Sequence, residues 1–117
     1  PGGADCLGPG IGAALEAGAR FILVLGGSGF GVGNYAPEVV RSIIEVEIPG
    51  IAEQIRAHGL TNTPLSGLSR EVVGVTARDS SGALIVSSPG SRGGALDTLE
   101  VVTPLLAAIF HQLDEQR

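Results

Sequence analysis

The chain has 117 residues, 44% hydrophobic and 16% charged, with a mean hydropathy of +0.36, so it carries the apolar material of one globular domain spanning 1–117. Twelve acids against seven bases leave a net charge of −5, which argues against a surface that neutralises nucleic-acid phosphates. All seven bases are arginine, so no lysine is present for a phosphate loop or a Schiff base.

Apolar runs such as FILVL and PLLAAIF are much shorter than the roughly 20 residues of a membrane span, so a soluble chain with no membrane partner is expected. The single Cys6 permits no internal disulfide and agrees with a reducing, cytoplasmic setting. With no basic neighbour to activate it, Cys6 reads as inert. The opening PGGADCLGPG, in a chain without methionine, lacks the regions of a signal peptide and suggests a start inside a domain.

In chain order, Ile11 to Arg20 has apolar residues at helical spacing and predicts a short helix closed near Gly18. FILVL, Phe21 to Leu25, is continuously apolar and branched, as in a strand covered on both faces. A glycine-rich loop follows, with five glycines between Gly26 and Gly33. Pro37 and Glu38 then suit the first turn of a helix running through PEVVRSIIEVE, with Val39, Val40, Ile43, Ile44 and Val46 facing the core. The pattern breaks at IPG and resumes as an amphipathic helix from Ile51 to a stop at Gly59. A loop rich in Pro, Ser and Gly leads to a strand around Val72 to Ala77, a turn at RDSSG and a buried strand ALIVS. After the second loop, SPGSRGG, the segment from Ala95 reads as helical, and Pro104 either kinks it or starts another helix.

Two buried strands, each ending in a glycine-bearing loop that opens a helix, predict an α/β fold with both loops on one edge of the sheet. Exposed amides and helix N-termini collect anions, which places a phosphate-bearing ligand between Gly27–Gly29 and Pro89–Ser91. The loop is not a dinucleotide fingerprint, because the third glycine position counted from Gly27 and Gly29 is Val32.

Five motifs stand in order: GGSG at Gly26 to Gly29, Pro37-Glu38, EIPG at Glu47 to Gly50, LSR at Leu68 to Arg70 with Gly74, and PGS at Pro89 to Ser91. From about Ile11 to the C-terminus this pattern resembles the MoaB/MogA family of molybdenum-cofactor biosynthesis proteins, the molybdopterin adenylyltransferases and their molybdopterin-binding relatives. The resemblance implies a three-layer molybdopterin-binding fold with a mostly parallel sheet, assembled as a homotrimer. It also implies a strand, a helix and a strand ahead of the segment seen here. For the adenylyltransferases it implies molybdopterin as substrate and Mg-ATP as the donor of AMP, with other molybdenum-cofactor enzymes among the partners.

Carried onto this sequence, the resemblance assigns Gly26, Gly27, Ser28 and Gly29 to the molybdopterin phosphate. Glu47, Ser69, Arg70, Pro89, Gly90 and Ser91 fall in the same pocket. The family's Thr is Ser28, which keeps a hydroxyl. Its Arg-Asp pair is Gly33-Asn34, so the acid of the catalytic position is an amide, and Asp5 is the nearest candidate for a further acid. An amide brings no charge to hold Mg²⁺ and takes no proton, so a binding homologue without catalysis is the alternative reading. A third is a relative that takes another pterin or nucleotide.

Each assignment has an ordinary structural alternative. Gly26–Gly29 could be a plain turn, and Asn34 a turn or cap residue. Arg70 either buttresses the site or pairs with Glu47. Arg92 is a candidate extra anion contact. His58 and His111 are far apart in sequence, with no pair of metal ligands in view, and read as surface residues.

Overall fold

The computed structural model describes residues 4–115, with side chains from Cys6 onward. Helix α1 spans Ala4–Glu16, starting seven residues before the expected Ile11, and Gly18 closes it in the left-handed region at φ 92°. Strand β1 is Phe21–Leu25, with the boundaries that its apolar run predicts. Helix α2, Ala36–Ile43, has Pro37 and Glu38 in its first turn as expected, yet ends four residues before Glu47. Ile44 is extended, and Val46–Glu47 form a short strand, β2. Tertiary pairing overrides the helical pattern here. The Glu45 amide bonds the Val75 carbonyl at 2.8 Å, and the Ile48 amide bonds the Val73 carbonyl at 2.7 Å, drawing this β-branched stretch onto the sheet.

Helix α3 runs over Pro49–Gly59 and is followed by a 3-10 turn at Pro64–Leu68, where the Thr63 hydroxyl accepts the Leu65 amide at 3.2 Å. Strand β3 is Val73–Val75, narrower than the Val72 to Ala77 expected, and β4 is Leu84–Ser88. Helix α4, Arg92–Val102, starts three residues before Ala95 because Ser91 caps it, its hydroxyl accepting the Gly94 amide at 3.1 Å. Pro104 stands in a 3-10 turn, Thr103–Leu105, from which α5, Leu106–Asp114, begins. The continuous run Arg92–Asp114 has 23 residues and a hydropathy of 1.4, long and apolar enough by composition alone to cross a membrane. Val102 and Leu113 from this run are buried in the core beside α3, and Leu105, Leu106, Ile109 and Phe110 pack against the same cluster.

The strand order is β1-β4-β3-β2, and the sheet is mixed. The expectation of a mostly parallel sheet is met in the β1–β4 pair, whereas β3 runs antiparallel to β4 and β2 antiparallel to β3. Strand alternation builds a core on each face. On one face Val73, Val75, Leu84 and Val86 pack with Ile51, Ala52, Ile55, Val102 and Leu113 of the helices. On the other, Val24, Val72 and Ile85 meet Ile11, Ala36 and Val40. Helices α1 and α2 thus form one layer, the sheet a second and α3 to α5 the third. Burying each large aliphatic side chain contributes about 1.5–3 kcal/mol, which is why continuously apolar strands select a sheet covered on both sides.

Candidate functional site

Because β1 and β4 are parallel neighbours, the loops that follow them leave the sheet on the same edge. They touch backbone to backbone. The Gly26 amide bonds the Ser88 carbonyl at 2.9 Å, and a Cβ on Gly90 would lie 3.2 Å from the Gly26 Cα. Gly26 and Gly27 take left-handed φ values of 89° and 72°, which glycine adopts without steric cost. Gly27 also lets its carbonyl accept the Ala36 amide at 3.1 Å, folding the loop onto the start of α2. A cavity of about 480 Å³ opens beneath the two loops, lined on this side by Gly27, Ser28, Gly29, Asn34, Pro89, Gly90 and Ser91.

Arg70 buttresses the loop from outside the lining. Its Nε donates to the Gly29 carbonyl at 2.7 Å and its Nη2 to the Asn34 carbonyl at 2.8 Å, while Nη1 lies 2.6 Å from Glu38 Oε2. The Arg70 amide also bonds the Ser28 carbonyl at 2.7 Å. Hydrogen bonding to Arg70 holds the exposed Glu38 carboxyl below its usual range. The alternative Arg70–Glu47 pair does not form. Glu47 lies on β2 at the sheet edge and pairs with Arg41 at 3.3 Å, so it is carried away from the pocket to a surface ion pair. Ser91 caps α4, and Arg92 is exposed outside the lining.

Asn34 lies over the loop. Its amide N–H bonds the Gly31 carbonyl at 3.0 Å, and a Cβ on Gly31 would come within 2.8 Å of Asn34 Nδ2, so the side chain packs against the loop it helps to turn. Mg²⁺ is held in proteins by carboxylates and substrate phosphates. On the loop side the described residues offer it a neutral amide, with Glu38 engaged by Arg70, and this donor set does not fit a protein-held Mg²⁺. Asp5 falls within α1, and its side chain lies outside the described residues.

The opposite wall comes from α3, the 3-10 turn, the approach to β3 and α4. Glu71 and Asp97, 4% and 7% exposed, are its buried acids. Glu71 precedes Val73 and Val75 on the alternating row that faces α3 and α4, and its Oε2 lies 3.1 Å from Thr98 Oγ1. Burial pushes the Glu71 carboxyl up from the ordinary 4.5 to about 7, against the opposing effects of Thr98, Arg56 and Ser69. The Ser69 hydroxyl is near enough to ease that ionisation, yet is buried without a hydrogen bond of ordinary geometry. Asp97 Oδ1 accepts the Asn62 amide at 3.0 Å. His58 is not the isolated surface residue expected, since its Nε2 is 3.1 Å from Glu100 Oε1 and 3.6 Å from Asp97 Oδ1, linking α3 to α4. Cys6 and His111 are exposed.

Two glycine loops meeting over a cavity of this size have the form of a small-molecule site, and comparison with known proteins narrows it. The family model described as "Probable molybdopterin binding domain" matches residues 8–108. The chain belongs to this family. A Corynebacterium diphtheriae protein assigned to molybdenum cofactor biosynthesis superposes with a TM-score of 0.87 at 44% identity, over 96% of this chain and 69% of that one. The Mog protein of Mycobacterium ulcerans gives 0.86 at 34% identity, over 95% and 70%. Among curated proteins, the molybdenum cofactor biosynthesis bifunctional protein of Chlorobaculum tepidum is 34% identical over 105 residues, covering 86% of this chain and 31% of that protein. The molybdopterin adenylyltransferase of Haemophilus influenzae is 34% identical over 87 residues, 74% of this chain and 42% of that one. The chain thus spans less than half the length of either curated relative.

Within this molybdopterin-binding domain, the motif residues Gly27, Ser28, Gly29, Ser69, Pro89, Gly90 and Ser91 line one cavity, with Gly26 in the backbone contact behind them. Glu71, Asp97, Asn62 and Ser66 line it as well and form no motif. Glu71 carried a signal: an acid at position 71 heads an otherwise apolar row at period 2 with Val73 and Val75.

Proposed function

We propose that the domain binds molybdopterin and transfers AMP from Mg-ATP to its terminal phosphate. The observation that supports this reading is the contact of the two glycine loops over one cavity, which offers backbone N–H groups and a helix N-terminus to phosphate oxygens. A phosphate oxygen of molybdopterin attacks the α-phosphorus of ATP, a new P–O–P bond forms, the bond to the β-phosphate breaks and pyrophosphate leaves. The second ionisation of a phosphate monoester lies near pH 6, so the nucleophile is already a dianion at neutral pH and needs no base. Mg²⁺ enters with ATP as part of the substrate. The chain's own contribution is positioning: Gly27 to Gly29 and the start of α4 hold phosphates, and Arg70 keeps the loop in shape. A homotrimer in the cytoplasm belongs to the same reading.

The test is incubation of the full chain with molybdopterin and Mg-ATP, followed by mass detection of adenylylated molybdopterin. Product above a protein-free control supports the transferase reading. Asn34 favours a second reading, a binding homologue without turnover, because no carboxylate lines the loop side among the described residues to orient the ATP-bound metal. Bound but unmodified molybdopterin supports that reading. In that case Asn34→Asp is expected to raise product formation at least tenfold over the wild-type background, a rate difference of about 1.4 kcal/mol.

A further inference from the structure

Glu71 is buried in the lining of the site, and the phosphate-binding loops leave it without a role. Its hydrogen bonding accommodates the protonated form. Thr98 Oγ1 lies 2.8 Å from the Gly94 carbonyl and 3.1 Å from Glu71 Oε2. A hydroxyl has one proton and two acceptor positions. If Thr98 donates to Gly94, its contact with Glu71 is satisfied only when Glu71 Oε2 itself carries a proton and donates to Thr98. Two carbonyl-type acceptors around one hydroxyl proton would otherwise leave a buried oxygen short of a donor.

The surroundings agree. The charged groups that act on Glu71 are Arg56 from α3 and Asp97 from α4, and the polar ones are Thr98 from α4 and Ser69 on its own segment. The Arg56 guanidinium is turned to the Ser69 carbonyl at 3.3 Å instead of pairing with the acid. Asp97 lines the same cavity, so ionisation of Glu71 would put a second negative charge into the space that has to admit a phosphate. With Oε2 facing Thr98, Oε1 remains as an acceptor for the ring of a ligand.

We propose that Glu71 takes part in the site as a neutral carboxylic acid that contacts the ligand's ring, so that binding of an anionic pterin requires one retained proton. This rests on the pterin reading of the cavity. The Thr98 contact keeps the acid oriented, and the proton keeps the wall from repelling the ligand's negative charge. Ring and phosphate are then recognised by different chemistry: side chains on the α3–α4 wall and backbone on the loops.

The experiment is anaerobic calorimetric titration of the full chain with molybdopterin between pH 5.5 and pH 9, in buffers of different ionisation enthalpy. For the wild type, Kd is expected to rise about tenfold per pH unit above neutrality, with about one proton taken up per molecule bound at pH 8. Glu71→Gln, a neutral isostere that still donates to Thr98, should flatten the alkaline rise and abolish the proton uptake. Glu71→Leu, which keeps the site uncharged but removes the ring contact, should raise Kd tenfold or more at every pH. Titration of the ligand itself is common to all three proteins and cancels. Wild-type binding without proton uptake, or an identical alkaline rise in Glu71→Gln, overturns the proposal while the pterin reading stands. Absence of molybdopterin binding by the wild type at every pH overturns both.

Discussion

The two sides of the cavity present opposite chemistry to its interior. The loop side is backbone: Gly26 against Gly90, Gly27 at positive φ, and an arginine that holds carbonyls without facing the ligand space. The α3–α4 wall is side chain, with Asn62, Ser66 and Glu71 from the segment 62–71 and Asp97 from α4. The left-handed backbone at Gly26 and Gly27 is a conformation that few residues can adopt, so these two positions tolerate substitution poorly. The wall depends on protonation and hydrogen bonding, so it responds to pH and to isosteric change.

The largest expected effect is on the loop side. In Gly27→Val a β-branched residue would have to sit at φ 72° with its Cβ 3.3 Å from that of Ala36. Backbone strain of about 1–3 kcal/mol is expected, together with loss of measurable molybdopterin binding in the same titration. Retained affinity would mean that the loop conformation is not what binds.

On the wall, the prediction concerns stability. Glu71 ionises near 4.5 when unfolded and near 7 when folded, so the native state holds the extra proton between those values. Its raised pKa means that stability falls as pH rises from about 4.5 to about 7 and stays lower above. Glu71→Gln should therefore gain up to about 3 kcal/mol over the wild type at pH 8 and nothing at pH 4, by urea unfolding. An equal effect at both pH values would break the contrast between a titrating wall and a non-titrating loop.

Arg70→Ala removes two bonds to loop carbonyls and the pair with Glu38, and should cost about 1–3 kcal/mol with a roughly tenfold weaker Kd for molybdopterin. Arg70→Lys should recover only part, because an ammonium cannot reproduce the planar fork. The smallest effect is expected at the sheet edge. Glu47→Ala breaks an exposed pair with Arg41 and should change stability by less than about 1 kcal/mol, leaving ligand affinity as it is. A large loss of affinity there would return Glu47 to the site.

The difference between the two sides is also a difference in legibility. GGSG and PGS are contiguous, and each glycine performs its role where it stands, so the loops could be read and their meeting on one edge inferred from two buried strands. Asn34 was legible as the amide where the family has an acid, and its packing on Gly31 gives it the turn role that the sequence also allowed. Glu71 belongs to no motif, and the one signal it carried is its place at the head of the inward row with Val73 and Val75. Asp97 and His58 are on different helices, and sequence spacing carries no trace of the 3.6 Å between them. Glu47 was misplaced for the converse reason: the motif around it is contiguous, but β2 pairs at the outer edge of the sheet.

Sequence by itself determined the strands that need cover on two faces, the glycines that permit left-handed turns, the proline start of α2, and so the α/β layering and the loop side of the cavity. These follow from local rules of backbone sterics and hydrophobic period. Only the tertiary structure decided that residues 44–48 leave the helix for the sheet, that Arg70 grips the loop through the Gly29 and Asn34 carbonyls and pairs with Glu38 instead of Glu47, and that Glu71 and Asp97 close the far wall. Pairing partners, burial and the desolvation that shifts a carboxyl to about 7 are properties of contacts between distant segments, and they come into being only when those segments pack.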